Sequence, residues 1–225
     1  MSVLILLLLI ILFVYGPQLW AKRMLARYNE NREFFPGTGV GFAQHLLERM
    51  KISQVRVEVT RKGDHYDPLD KVLRLSQKNC GKKSLTAVVV ATHEVGHAIQ
   101  DYKGYAPLHI RTRLILFARR AEKLGAWLMM AVPLIALVAK IPSAGMLMFL
   151  GGLISLGMPL FIHLITLPVE WDASFRRAMP ILTEYLPAED HPPARRILTA
   201  CTLTYVAASL VSLLDIWRWI KILRR

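Results

Sequence analysis

The stretch Ala91-Thr92-His93-Glu94-Val95-Gly96-His97-Ala98-Ile99-Gln100 decides how the rest of the chain is read. On a helix, positions i and i+4 share a face, so His93 and His97 would present both imidazoles to one ion. Two nitrogen ligands at that spacing suit Zn²⁺, one ion per chain, and the acid after the first His projects beside the metal. From there Glu94 would take a proton from an attacking water and pass it to the leaving amine. HExxH also arises by chance on surface helices. Here its neighbours are Val88, Val89, Val90, Ala91, Val95, Ala98 and Ile99. Imidazoles and a carboxylate in so apolar a segment are costly unless something pairs them. The three consecutive valines alone would suit a strand, but the length of the apolar segment and the motif argue for a buried helix from Ser84 to Ile99. Gly96 costs that helix about 1 kcal/mol relative to Ala, which predicts a close approach by neighbouring backbone.

A catalytic zinc needs a third protein ligand. Downstream, position 103 is Lys, and His109 lies beyond Pro107, a poor continuation of the same surface. The alternative is a Glu from a later helix, and Glu170 stands just after an apolar run. Working outward on the upstream side, Pro36-Gly37-Thr38-Gly39 reads as a turn in which Thr38 caps the next helix. That helix gathers Ala43, Leu46, Leu47 and Met50 on one face. Val55, Val57 and Val59 alternate with polar residues as a half-buried strand. Residues 61–71 read as a polar loop, and Val72–Ser76 as a second short strand.

Charge is absent from residues 1–21, 124–139, 141–169 and 197–214. About 20 apolar residues in a helix cross a bilayer core, so spans are expected near Val3–Trp20, Leu124–Ile141 and Gly145–Leu167. A fourth, Ile197–Leu214, is diluted by Thr199, Thr202, Thr204, Ser209 and Ser212; its competing reading is a long helix packed against the domain. The expected fold is therefore a multi-pass α-helical membrane protein of three to four spans, carrying a small α+β zincin-like domain. The expected divisions are an anchor at 1–21, the domain with its HExxH helix at 22–123, and a transmembrane hairpin at 124–167. A helix and loop with the third ligand follow at 168–196, then a last span with a basic tail at 197–225.

The net charge of +13 invites a nucleic-acid reading, but no nucleic-acid module is visible. Lys and Arg outnumber Asp and Glu two to one over 22–123, which suits the cytoplasmic face of a membrane. Anionic lipid head groups are the simpler partner, attracted at roughly 1 kcal/mol per well-placed basic residue. The segment Arg111–Lys123, where apolar and basic residues interleave, fits that role. Cys80 and Cys201 form no CxxC, in keeping with a reducing compartment.

The string His93–Gln100, the later Leu167-Pro168-Val169-Glu170-Trp171-Asp172-Ala173-Ser174-Phe175-Arg176-Arg177-Ala178 and the loop Asp64-His65-Tyr66-Asp67-Pro68 resemble the YugP-type bacterial neutral zinc metallopeptidases. More distantly the layout is similar to HtpX-type and CAAX prenyl proteases. The resemblance implies a multi-pass protein of the bacterial cell (inner) membrane, with Glu170 as third zinc ligand. In the distant relatives an Asp follows that Glu by four residues. Here the place is Ser174 and the acid is Asp172, which would pair with Arg176 at i+4.

His65 and Tyr66 are candidates for stabilising an oxyanion, against the plainer reading of a turn shaped by Asp67-Pro68. The strand Val72, Leu73, Arg74, Leu75, Ser76 is expected to offer a free edge to the substrate main chain. Membrane-associated or misfolded proteins are the expected substrates, with other membrane proteins as possible assembly partners. The competing class is a zinc-binding but proteolytically silent membrane scaffold. Against it stands the intact Glu94, which holding zinc alone does not require. A membrane di-iron hydroxylase would need far more clustered His than the seven scattered here.

Overall fold

A computed structural model describes residues 2–32, 35, 37–118, 120, 162 and 165–213. The chain opens with α1 (Ser2–Arg27), then α2 (Gly39–Arg49). Thr38 caps α2 as the sequence predicts, its hydroxyl accepting the Gly41 N–H at 3.2 Å. The amphipathic face of α2 puts Phe42, Ala43, Leu46 and Leu47 into the core. Three strands follow: β1 (Arg56–Thr60), β2 (His65–Asp67) and β3 (Val72–Ser76). After the short α3 (Gln77–Cys80) comes α4 (Leu85–Tyr102), capped by the Ser84 hydroxyl on the Ala87 N–H. Every residue of α4 from Leu85 to Asp101 is buried, so the motif helix is the centre of the domain.

The sheet order is β1-β3-β2, with β1 parallel and β2 antiparallel to β3. This corrects two expectations. Residues 65–67, read as loop, form a strand too short and too polar to show a periodic pattern. And Val72–Ser76 is no edge: Leu73 pairs with Val57 on one side and Tyr66 on the other. Val72, Leu73 and Leu75 are fully buried, which explains why the most apolar of the three strands takes the centre. A turn returns β2 into β3, with Asp67 Oδ1 accepting the Leu69 N–H at 3.0 Å.

Downstream, a helix over 106–118 (α5) and another over 165–171 (α6) are described. The latter runs without a break into a π-helix, Asp172–Ala178, and on into α7 (Met179–Tyr185). The last element is α8 (His191–Leu213). Ala178, Leu182, Ala194, Ile197 and Leu198 join the same core as α2, β3 and α4. The α+β unit is thus assembled from both halves of the sequence and does not close at residue 123.

Among the described residues no helix is long and apolar enough to cross a membrane, which overturns the expected multi-pass fold. The segment read as a fourth span is the clearest case. It belongs to α8, which begins six residues earlier at His191 and buries Ala194, Ile197, Leu198 and Ala200 within the domain. Of its hydroxylic residues, Thr202 is buried and bonded to Ser174. The expected anchor is likewise part of a longer element. α1 contains Pro17, continues through Lys22 and Arg23 to Arg27, and buries Ala21. It packs along α8, and its last turn docks on α4 through Thr86 Oγ1, which donates to the Leu25 carbonyl at 2.9 Å. The expected spans Leu124–Ile141 and Gly145–Leu167 lie, apart from residues 162 and 165–167, outside the described residues.

Candidate metal centre

The helical spacing of α4 brings the two imidazoles to one face, with ring centroids 4.8 Å apart. Glu170, at the end of α6, reaches the same point. Its Oε2 lies 3.2 Å from His93 Nε2 and 3.3 Å from His97 Nε2. Neither contact has hydrogen-bond geometry, so Oε2 is fully buried with no donor. Such an orphan is expensive, and it marks the place of a cation. Zinc–ligand bonds of 2.0–2.1 Å at tetrahedral angles set donor atoms roughly 3.3 Å apart, so these residues fit zinc. Burial by itself would raise the Glu170 carboxyl. While no metal is bound, the positive charge of the facing imidazoles in their protonated form, His97 foremost, outweighs it and holds the group well below the usual carboxylate range.

What aims the imidazoles was not read from the sequence. His93 Nδ1 donates to Ser174 Oγ at 3.0 Å, and Ser174 is bonded in turn to Thr202 on α8. His97 Nδ1 donates to Gln100 Oε1 at 2.9 Å. The Gln100 amide then donates to the Val169 carbonyl and to Asp172 Oδ2, both at 2.8 Å. With both Nδ1 atoms acting as donors, both Nε2 lone pairs are left facing Glu170 Oε2. Four residues after Glu170 this chain carries a neutral hydroxyl, and that hydroxyl supports His93.

Asp172 does not pair with Arg176. It accepts from Arg177 Nε at 2.6 Å. The π-helix is the cause, since its wider turn brings i and i+5 together where an α-helix would bring i and i+4. The close backbone approach foreseen at Gly96 is present, and it comes from the same π-helix. A Cβ on residue 96 would lie 2.7 Å from the Ala173 carbonyl oxygen.

Glu94 is 5% exposed and borders a cleft of about 220 Å³ lined also by His65, Tyr66, His97, Leu108 and Arg111. Burial pushes its carboxyl up to about 7. The charges of Glu170 and Asp64 add to the shift, and His93 and the Tyr66 backbone N–H oppose it. A carboxyl poised there is matched to proton transfer near neutrality. The strand edge beside Glu94 is that of β2, whose other side pairs with β3.

The two candidate oxyanion residues border the cleft, and each has one polar atom bonded away from the ligand set. The Tyr66 hydroxyl donates to buried Asp101 at 2.6 Å, and Lys71 pairs with the same carboxylate. His65 Nδ1 donates to the Gly63 carbonyl at 2.7 Å. A cation from the segment expected at the lipid surface also borders the cleft. Arg111 turns inward from α5, and its Nη1 donates to Glu170 Oε1 at 3.1 Å.

Among the described residues of this α+β domain, two histidines on a buried helix and a glutamate from a later helix form a group that could hold a metal ion. The chain belongs to the family described as "Putative neutral zinc metallopeptidase", which matches residues 3–224, and zinc is the metal that family implies. It is 33% identical over 215 residues to "Putative membrane protease YugP" of Bacillus subtilis (strain 168), covering 92% of each chain. No solved structure matches the chain.

Proposed function

We propose that the chain is a zinc-dependent endopeptidase of the gluzincin type, holding one ion between His93 Nε2, His97 Nε2 and Glu170 Oε2. The observation that carries this reading is the orphaned, fully buried Glu170 Oε2 facing both imidazoles. When bound, zinc would supply Lewis acidity to activate water and polarise the scissile carbonyl. Glu94 takes the proton of the attacking water and hands it to the departing amine. In the metal-free site burial raises its carboxyl to about 7, and a bound cation would favour the carboxylate form that accepts the proton. The substrate main chain runs along the outer edge of β2, across the cleft from α5, where an unpaired strand edge meets what all peptides share.

Membrane-associated or misfolded proteins remain the proposed substrates, cleaved beside a membrane at its cytoplasmic face. Support comes from the relative named a membrane protease and the basic excess over 22–123. The test is metal analysis of purified protein together with cleavage of an unfolded protein substrate. Glu94→Gln is expected to retain zinc and lose at least about 10³-fold in kcat, and His97→Ala to lose both. Stoichiometric zinc in the His97→Ala protein would sink the assignment.

A further inference from the structure

Of the groups bordering the cleft, the guanidinium of Arg111 is the cation placed against the ligand set. We propose that Arg111 is a catalytic residue that binds the carbonyl oxygen of the scissile bond as negative charge develops on it. The inference rests on the peptidase reading above and adds to it the group that receives the charge.

Three observations converge. Arg111 lines the cleft together with Glu94 and His97, the two groups of α4 nearest the reaction. Its side chain is 17% exposed and anchored, because Nη1 donates to Glu170 Oε1, the oxygen turned away from the imidazoles. That bond fixes the guanidinium plane next to the third ligand without using the oxygen assigned to the metal. A planar fork holds a carboxylate and a second acceptor at once, which a lysine ammonium does with less directional control. Finally, the Tyr66 hydroxyl is buried on Asp101, and His65, whose Nδ1 donates to the Gly63 carbonyl, makes no hydrogen bond to the ligand set.

The electron bookkeeping asks for such a group. As the water oxygen bonds to the carbonyl carbon, the carbonyl π pair moves onto its oxygen and the water proton moves to Glu94. The oxygen then carries a full negative charge inside a buried cleft. A preorganised cation there acts on the transition state far more than on the neutral ground state.

The experiment compares Arg111→Lys and Arg111→Met with wild type by kinetics on an internally quenched peptide, by zinc content, and by titration of a phosphonamidate peptide into zinc-loaded protein. The expected result is a 10²–10³-fold fall in kcat for Arg111→Met, with KM within about threefold and one zinc retained. Phosphonamidate affinity should fall in parallel with kcat, and Arg111→Lys should recover part of both. Loss of zinc in proportion to activity would make Arg111 a mere support for Glu170 and overturn the assignment. So would a defect seen only in KM and only for peptides with a free C-terminal carboxylate, which would make it a reader of substrate charge. Should wild type show no zinc-dependent hydrolysis, the peptidase reading fails on its own. An Arg111-dependent phosphonamidate affinity in that protein would still support the oxyanion role, and an unchanged affinity would reject it.

Discussion

The two walls of the cleft are built differently. The ligand wall, α4 against α6 and the π-helix, is buried throughout, and each imidazole is held by a neutral side chain that is itself held. The opposite wall is a three-residue strand and the exposed helix α5, fastened to α4 chiefly through the Asp101 carboxylate. Leu69 at its rim is 62% exposed. A metal needs its donors fixed to within a few tenths of an ångström, whereas a peptide of varied sequence needs a wall that yields. The contrast teaches that rigidity here is placed by chemical demand and does not run uniformly through the fold.

The largest test concerns what the rigid wall costs. In metal-free protein the Glu94 carboxyl sits at about 7 against an ordinary 4.5, so the fold favours its protonated form. The stability that this proton provides is fully present below pH 4.5 and is lost as pH rises through about 7. Glu94→Gln should therefore match wild type near pH 4.5 and exceed it by about 3 kcal/mol at pH 8, as read from urea midpoints of chelator-treated protein. A gap constant with pH would show that the carboxyl is not strained by burial.

Next comes the packing of the same wall. Gly96→Ala should destabilise by about 2 kcal/mol, the overpacking cost exceeding the gain of about 1 kcal/mol in helix propensity. A thermal midpoint at or above wild type would mean that the π-helix shifts freely. Then the walls can be separated. Gln100→Ala should weaken zinc roughly 10- to 100-fold in chelator competition, with KM little changed in zinc-saturated protein. Asp101→Asn, the smallest effect, should do the reverse. Zinc affinity should hold, while KM rises roughly fivefold as β2 loosens, on the order of 1 kcal/mol for the weakened bonds. If Asp101→Asn releases zinc and Gln100→Ala does not, the division between the walls is wrong.

The rigid wall is also the part the sequence disclosed. His93, Glu94 and His97 are legible because a helix turns i and i+4 to one side, a local rule, and Gly96 because its cost in an apolar helix demands a reason. Glu170 came from its place after an apolar run and from family resemblance. What stayed hidden depends on contacts between distant residues. Gln100 meets Asp172 across 72 positions and Arg111 meets Glu170 across 59, and no periodicity announces either. Arg111 even sits in a segment whose pattern matches a lipid-facing helix. The sheet order is not legible either, because His65-Tyr66-Asp67 is too short and too polar to mark itself as the second neighbour of Val72–Ser76. Apolar runs misled in the opposite direction at Ile197, where a core helix and a membrane span write the same letters.

The contact between Gly96 and the Ala173 carbonyl has a consequence for inheritance. The gap between the two ligand-bearing helices is gauged by main-chain atoms, which every residue carries alike, so most substitutions leave the gauge untouched. That spacing is set where α4 and the π-helix touch. The sensitive position is the glycine at 96, where adding one methyl group would reach the metal centre without altering any of its ligands.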